Sequence, residues 1–247
     1  MEKIFYTRHD GGLTLFKSGK HSTVSSSHPN FGRILDALRE LELDQRTLVI
    51  FTSDNGPEVA SVVHMRADHG HDGARPWRGI KRDQWEGGHR VPFLVRWPAR
   101  VKPGTTSAQL TSLTDVMATV AAIVDAKLPA DAAEDSFSLL PALLREDKAP
   151  IRPYLLTQAF AGARTLSIRR GPWKFLDHPG SGGNRYENHV ELKRFILPDS
   201  APGTPGQLYH LDTDPGETRN LYAAHPEIVR ELKALLDHSK TTGRSRL

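Results

Sequence analysis

The chain contains no cysteine among its 247 residues, which excludes disulfide bonds and thiolate chemistry. It also has no run close to the ~20 consecutive apolar residues that a membrane-spanning helix requires, so no membrane span is predicted. The N-terminal residues contain no apolar core of the kind found in signal peptides. We therefore expect either a cytoplasmic protein or a sequence whose true start is missing, and the location itself is not predicted.

Neither sign of charge dominates the sequence. The chain has 33 basic and 29 acidic residues, giving a net charge of +4, and it has no long basic run. This excess is too small to predict binding to nucleic acid. A mildly basic surface suits anionic substrates, although an ordinary solvated surface is the simpler explanation.

A short apolar run followed by polar residues is the first feature that suggests chemistry. Leu48–Phe51 predicts a buried strand, and Asp54 and Asn55 follow it just before a Gly-Pro turn. In a parallel α/β sheet, ligands bind beyond the carboxyl ends of the strands. Carboxylate and amide oxygens are hard donors that suit Ca²⁺ or Mg²⁺. Taken alone, the same residues are also typical of a plain turn.

A glycine-rich segment further along the chain contains a lysine that could contribute a positive charge to the same site. Lys81 precedes Glu86, Gly87 and Gly88, and it is predicted to neutralise an anionic group held near Asp54. The alternative is a solvated lysine. Glu86 and Arg90 are equally compatible with a structural ion pair and with substrate contact.

Histidines are concentrated in the same part of the chain. The spacing of His64, His69, His71 and His89 does not match a zinc signature, so a zinc site is disfavoured. His69 or His89 is predicted to line the pocket and to donate a proton to a leaving group.

Five blocks, in this order along the chain, resemble the sulfatase family of the alkaline-phosphatase superfamily. The resemblance extends from Asn30 to about Leu236. The blocks are Thr52–Pro57, Arg78–Pro92, Phe93–Pro98, Leu113–Thr119 and Leu208–Leu221.

The resemblance implies roles for individual residues. The positions of Asp54 and Asn55 bind a divalent cation, usually Ca²⁺ with Mg²⁺ as the alternative, and the position of Lys81 contacts the sulfate. The family nucleophile is a formylglycine made from Cys or Ser in a C/S-x-P-x-R motif. Here Ser27 begins a segment with Phe31 where that motif has arginine, and the paired aspartates that complete the metal site are absent. We therefore expect the C-terminal portion of a sulfatase, without a nucleophile, inactive alone and weak in metal binding.

The resemblance and the periodicity together predict an α/β fold. We expect a partial alkaline-phosphatase-like α/β/α sandwich with a smaller C-terminal antiparallel sheet plus helix. The predicted divisions are a poorly ordered segment at 1–29, part of the sulfatase α/β domain at 30–150, and the antiparallel subdomain at 151–240. We predict three helices, which begin at Asn30, span 112–124 and span 225–236. The helix at 112–124 is predicted to have an apolar inner face. Open loops are predicted at 57–80 and 177–205.

The predicted function is hydrolysis of a sulfate ester on a small molecule or glycan, without a nucleic-acid partner. Two alternatives stay open, namely a phosphate or phosphonate monoester hydrolase of the same superfamily and a non-catalytic remnant that binds sulfated glycans. Full-length members of the family are usually exported.

Overall fold

The computed structural model describes residues 23–71, 73–147, 149–159 and 165–246, and the backbone of 7–9 and 12–14; side chains are described from residue 30 onward. The chain divides into two compact units. One contains the residues up to Thr52 together with Phe93–Thr105, and the other contains Ser53–Pro92 together with the residues from Thr106 onward. The division predicted at residues 29 and 150 stays a prediction.

The first unit contains two small β-pairs and one long helix. Its elements are β1 (Thr7–His9), β2 (Gly12–Thr14), α1 (Thr23–Glu40), β3 (Val49–Thr52) and β4 (Phe93–Arg96). The helix predicted from Asn30 therefore begins earlier, at Thr23. Of the segment predicted to be poorly ordered, residues 1–6, 10–11 and 15–22 lie outside the described residues.

The strand that leads to Asp54 has an antiparallel neighbour. β3 pairs with β4, with Thr52 opposite Phe93, whereas the sequence predicted a parallel sheet at this point. A parallel neighbour needs a crossover connection from another strand. The part of the chain that the structure describes supplies no such strand, and β3 and β4 form a two-stranded sheet.

The second unit consists of helices and a four-stranded sheet. Its elements are α2 (Val59–His69), α3 (Glu86–His89), α4 (Asp115–Ile123), α5 (Leu140–Leu144), β5 (Leu155–Gln158), β6 (Leu166–Arg170), β7 (Trp173–Leu176), β8 (Gln207–His210) and α6 (Pro226–Thr242). No helix among the described residues is both long and apolar enough to cross a membrane.

The predicted antiparallel sheet plus helix forms the main core of this unit. β5, β6, β7 and β8 pair in sequence order, each antiparallel to the next. Because alternate side chains of a strand point to one face, Ile168, Phe175 and Leu208 meet the apolar stripe of α6. Leu232 and Leu236 of that stripe are fully buried, as the periodicity predicted.

The region 57–80 was predicted to be an open loop, and this was wrong. It contains α2, whose side chains Val62 and Val63 are buried. The side chain of Glu58 accepts a hydrogen bond from the first helical amide, and Gly70 ends the helix in a left-handed conformation. The apolar spacing at 59, 62 and 63 is a helical signal that the abundance of polar residues obscured.

The segment 177–205 was likewise predicted to be an exposed loop, and it is anchored instead. It contains short 3₁₀ turns at Tyr186–Asn188 and Lys193–Phe195. Leu192 is fully buried against Val62, Val63 and Ile80. The segment therefore packs on α2 and on the loop that carries Lys81.

The face of α4 that was predicted to point inward is only partly covered, with Val116 and Ile123 half-buried. Met117, Val120 and Val124 are 54%, 45% and 64% exposed, whereas Asp115 and Thr119 are buried. Asp115 pairs with buried Arg152, and Thr119 accepts the Leu139 amide hydrogen at 2.8 Å. A polar network thus fixes the orientation of α4, because buried polar groups need partners that apolar side chains cannot provide.

Candidate active site

The turn that carries Asp54 and Asn55 lies directly on the glycine pair Gly87–Gly88. The Gly56 amide donates to the Gly88 carbonyl with an N···O distance of 3.0 Å. A Cβ atom at Gly56 would lie 1.8 Å from the Gly87 carbonyl oxygen. Only glycine therefore permits this close approach of the two backbones.

The two predicted metal ligands differ in exposure. Asp54 is exposed, and Asn55 is half-buried. The Asn55 side-chain amide donates to the Gly56 carbonyl at 2.8 Å. This bond uses the nitrogen end of the amide, so its oxygen remains the end that suits a hard cation.

Lys81 is attached to the same turn through its backbone. Its amide donates to the Pro57 carbonyl at 2.9 Å. Its ammonium lies 3.4 Å from a carboxylate oxygen of Glu58, and its side chain is 35% exposed. We call Asp54, Asn55 and Lys81 the rim of the site. The structure thus joins the backbones of the turn and the loop that carry all three rim residues.

Glu58 links Lys81 to its neighbour Arg82. Arg82 donates to both Glu58 carboxylate oxygens, at 2.7 and 3.2 Å. These hydrogen bonds lower the pKa of Glu58 to about 2, against the opposing effect of burial. Arg82 has a left-handed backbone with φ +83°, an uncommon conformation for a residue with a side chain. Glu58 is therefore an anion at any ordinary pH, beside both cations.

The anchored segment 177–205 holds the Lys81 loop from another side. The Asn184 side chain donates to the Lys81 carbonyl at 2.8 Å, and the Tyr186 hydroxyl donates to Asp83 at 2.5 Å. A Cβ atom at Gly183 would lie 1.8 Å from the Arg82 carbonyl oxygen. The sequence analysis missed these residues, although the adjacent glycines at 182 and 183 are a signal of close backbone approach.

His89 ends the helical turn that begins at Glu86. Burial, with a further contribution from the Lys174 charge, lowers the pKa of His89 to about 4. Its ring is hydrogen-bonded to the Asp83 backbone, and its Nε2 atom is buried without a hydrogen-bond partner among the described residues. The imidazole is thus neutral at pH 7. With Nδ1–H bound to a carbonyl, Nε2 is an acceptor rather than a proton donor.

The residue before the glycine pair, Glu86, belongs to a buried cluster of ionisable groups. The Lys174 ammonium, 3% exposed, lies 3.0 Å from Glu86 and 3.2 Å from Glu217. Glu86 also pairs with Arg90 at 2.9 Å and with Arg169 at 3.0 Å. We call Glu86, Lys174 and Glu217 the buried base. Glu86 is therefore a structural ion-pair partner, one of the two alternatives left open by the sequence.

The two carboxylates of the buried base have pKa values displaced in opposite directions. Burial alone would raise the pKa of Glu86, but Lys174, Arg169 and Arg90 together hold it well below its ordinary value. Burial raises the pKa of Glu217, and the Glu86 charge adds to this rise while Lys174 opposes it. Two carboxylates share one ammonium, and Glu86 has two more cations beside it.

His69 lies elsewhere on α2. It is the last residue of that helix and is exposed. Glu58, which pairs with Lys81, precedes the first residue of that helix, so about 16 Å of helix axis separates the backbones of Glu58 and His69. His69 stays a prediction.

Asp54 and Asn55 provide the type of oxygen ligand that a hard divalent cation prefers, but too few of them to complete its coordination. Asp54 and Asn55 supply two oxygens, whereas Ca²⁺ prefers six to eight. Among the residues that the structure describes, no group of three or more His, Asp or Glu side chains could hold a metal ion. The pair therefore fits one part of a coordination sphere.

Comparisons with known proteins identify the family. A family model described as Sulfatase matches residues 21–126. N-acetylgalactosamine-6-O-sulfatase of Bacteroides thetaiotaomicron is 39% identical over 213 residues, which are 85% of this chain and 39% of that protein. Human arylsulfatase A is 33% identical over 229 residues, covering 87% of this chain and 43% of that protein. The chain belongs to the sulfatase family.

Solved structures support the same conclusion for the fold. A sulfatase structure from work on the metabolism of multiple glycosaminoglycans by Bacteroides thetaiotaomicron has a TM-score of 0.72 and 37% identity, covering 87% of this chain and 43% of that chain. A complex with D-glucosamine-2-N,6-O-disulfate has a TM-score of 0.63, covers 89% of this chain and 39% of that chain, and at 23% identity supports the fold alone. The predicted alkaline-phosphatase-like α/β class is confirmed. The sulfatase chain spans about two fifths of the length of the relatives it matches, consistent with the predicted C-terminal portion.

Proposed function

We propose that this chain carries the anion-binding part of a sulfate-ester hydrolase. In this proposal Asp54 and Asn55 are two oxygen ligands of a divalent cation, and Lys81 meets the sulfate group. The observation that carries the proposal is the pair of backbone hydrogen bonds from Gly56 to Gly88 and from Lys81 to Pro57. These bonds join the turn that bears the acid–amide pair to the loop that bears the lysine.

The proposed chemistry is electrostatic. Asp54 and Asn55 would hold a calcium or magnesium ion, which would act as a Lewis acid toward the sulfate group. The Lys81 ammonium neutralises charge on the same group. Since Glu58 lies 3.4 Å from that ammonium, an incoming sulfate competes with Glu58 for it. The Arg82 guanidinium stays on Glu58 and compensates its charge when Lys81 turns to the ligand.

His89 has a restricted role in this proposal. A pKa of about 4 leaves its imidazole neutral at pH 7. A neutral ring with Nδ1–H bound to the Asp83 carbonyl offers Nε2 as a hydrogen-bond or proton acceptor. We propose that His89 accepts a proton or hydrogen bond at the pocket wall, rather than donating a proton to the leaving alcohol.

The sequence given supplies no nucleophile of the formylglycine type, because it has no cysteine and its Ser27 motif lacks the arginine. We therefore propose that the chain alone does not turn over sulfate esters. Sulfated glycans and small sulfate esters are the substrate classes we favour, by likeness to the N-acetylgalactosamine-6-O-sulfatase relative.

A chimeric enzyme tests this function. The chain replaces its matched segment in the Bacteroides N-acetylgalactosamine-6-O-sulfatase, and sulfate release from N-acetylgalactosamine 6-sulfate is measured. We expect activity that falls at least ~100-fold in Lys81→Met, as expected when a transition-state cation is lost. The exposed Lys233→Met variant is the matched control and retains activity.

Three outcomes would contradict the proposal. A folded chimera whose turnover survives Lys81→Met would remove the lysine from the site. Preference for the 6-phosphate over the 6-sulfate would favour the phosphate monoester alternative, and binding of the sulfated sugar with no turnover would favour the glycan-binding remnant.

A further inference from the structure

The block Asp214–Leu221 resembles the family yet has no part in the function proposed above. Its central residue, Glu217, is fully buried. One carboxylate oxygen accepts the Glu86 amide hydrogen at 2.6 Å, and the other lies 3.2 Å from the Lys174 ammonium. A fully buried carboxylate is costly unless it is paired and hydrogen-bonded, so its placement at this point requires an explanation.

The contacts of Glu217 converge on the start of α3. The amide it accepts belongs to Glu86, the first residue of that helical turn. Lys174 bridges the carboxylates of both residues, so Glu86 is held through its backbone and through its side chain. In addition, Arg78 donates to the Glu217 carbonyl at 2.9 Å and stacks on Trp85 with 3.7 Å between guanidinium and ring centroid.

These contacts lead directly to the rim of the site. The Gly87 amide donates to the Arg78 carbonyl at 2.7 Å, and the Gly88 carbonyl accepts the Gly56 amide at 3.0 Å. Both glycines are buried, and a Cβ atom at Gly87 would lie 2.3 Å from the Gly79 carbonyl oxygen. A displacement of α3 would therefore move the surface on which the Asp54–Asn55 turn rests.

We propose that Glu217 is a positioning residue, which sets α3 through the Glu86 amide and the shared Lys174 ammonium and thereby holds the Asp54–Asn55 turn against Gly88. The relevance of Glu217 to catalysis rests on the proposed function, whereas its effect on the Asp54–Asn55 turn can be measured without enzyme activity. Glu217 does not touch the rim and acts only through α3.

The charged groups around Glu217 make this support dependent on pH. These charged and titratable groups are Lys174 from β7, Glu86 from α3, the Tyr209 hydroxyl from β8, and Arg78, whose guanidinium binds the Glu217 carbonyl. Arg169 and Arg90 act through Glu86. Because burial raises the pKa of Glu217, opening that hydrates this carboxyl becomes easier as the pH rises above the ordinary value of 4.5.

Amide hydrogen exchange followed by NMR tests the inference on the chain as it exists. Protection of the Gly56 amide is measured between pH 5 and 8, with Ile168 in the sheet core as the internal reference, in the wild type and in Glu217→Gln. We expect Gly56 protection in the wild type to fall as the pH rises and this fall to be absent in Glu217→Gln, while Ile168 reports the stability of the whole unit in both proteins. The matched control, Glu231→Gln at an exposed ion pair on α6, keeps the wild-type trend.

Specific results of the exchange experiment would overturn the positioning role of Glu217. If Gly56 protection follows the same pH trend in the wild type and in Glu217→Gln, Glu217 does not position the turn. If Glu217→Gln fails to fold, the wild-type protein decides, and Gly56 protection that does not fall between pH 5 and 8 overturns the inference. The chimera can fail to hydrolyse sulfate without affecting either readout, so failure of the proposed function is recognised separately.

Discussion

The rim and the buried base of the candidate site contain the same kinds of charged groups in different surroundings. Lys81 on the rim is 35% exposed and pairs with a Glu58 side chain that is 42% exposed. Lys174 in the base is 3% exposed and pairs with Glu217, which is fully buried. Exposed ion pairs contribute about 0–1 kcal/mol, whereas breaking a buried pair costs about 3–5 kcal/mol.

This difference in burial predicts ligand binding for the rim and structural support for the buried base. A rim cation can exchange its partner for an incoming anion because water screens both states. The Lys174 ammonium of the buried base cannot exchange its partners, because its removal leaves two buried carboxylates without their shared counter-ion. Substitutions in the base should therefore change the stability of the protein, and substitutions on the rim should change ligand binding alone.

The largest expected effect is that of Lys174→Met. It leaves Glu217 without an ammonium partner and Glu86 with only its two arginines, so we expect a loss of about 3–5 kcal/mol in the free energy of unfolding. Urea denaturation at pH 7 measures it. The control is Lys233→Met, whose side chain is 47% exposed and which should change stability by less than about 1 kcal/mol. Equal effects in both variants would mean that burial does not make the Lys174 ion pairs more important for stability than an exposed ion pair.

A smaller effect is expected for Gly56→Ala. The added methyl group meets the Gly87 carbonyl oxygen, so the turn must move, at a cost of about 1–3 kcal/mol. Gly73→Ala is the matched control, because nothing lies within 4 Å of its added Cβ. Thermal unfolding compares the two variants, and a Gly56→Ala protein as stable as the control would mean that the turn does not rest on the glycine pair.

A pH-dependent effect is expected from His89. Its folded-state pKa, about 4, lies below the ordinary 6.5, so the unfolded chain binds more protons between these values. The His89 contribution is therefore fully present above pH 6.5 and is lost as the pH falls towards 4, on the order of 1–3 kcal/mol. The stability of the wild type relative to His89→Gln should decrease over this interval. A difference in stability between the wild type and His89→Gln that stays constant from pH 6.5 to 4 would contradict burial of His89 as a neutral ring.

Much of the second unit could be predicted from the sequence because its signals are local. The C-terminal antiparallel sheet and the helix at 225–236 were predicted from signals that lie within each element. The orientation of α4 could not be predicted this way. Its apolar periodicity favoured Met117 as an inner residue, but the network of Asp115 and Arg152, distant in sequence, determines which face is buried.

The candidate site likewise combines residues that sequence motifs predict with residues that reach it through contacts far apart in the sequence. Asp54, Asn55 and Lys81 were predicted from motifs of adjacent residues, and their roles stay predictions. The support from Asn184, Lys174 and Glu217 could not be read from the sequence, because each is a long-range contact to one short loop. The helix α2 was missed because its polar residues concealed an apolar stripe of only three valines.

The most direct test of the account is whether Asp54 and Lys81 respond together to one anion. The Asn55 and Lys81 amide resonances are followed by NMR while inorganic sulfate is added to the chain in the presence of calcium. The account predicts that both resonances shift with a single binding curve, that Lys81→Met abolishes the Asn55 response, and that Asp54→Asn weakens it, with both variants as stable as the wild type. Independent curves for the two amides, or an Asn55 response that persists in Lys81→Met, would contradict a shared site.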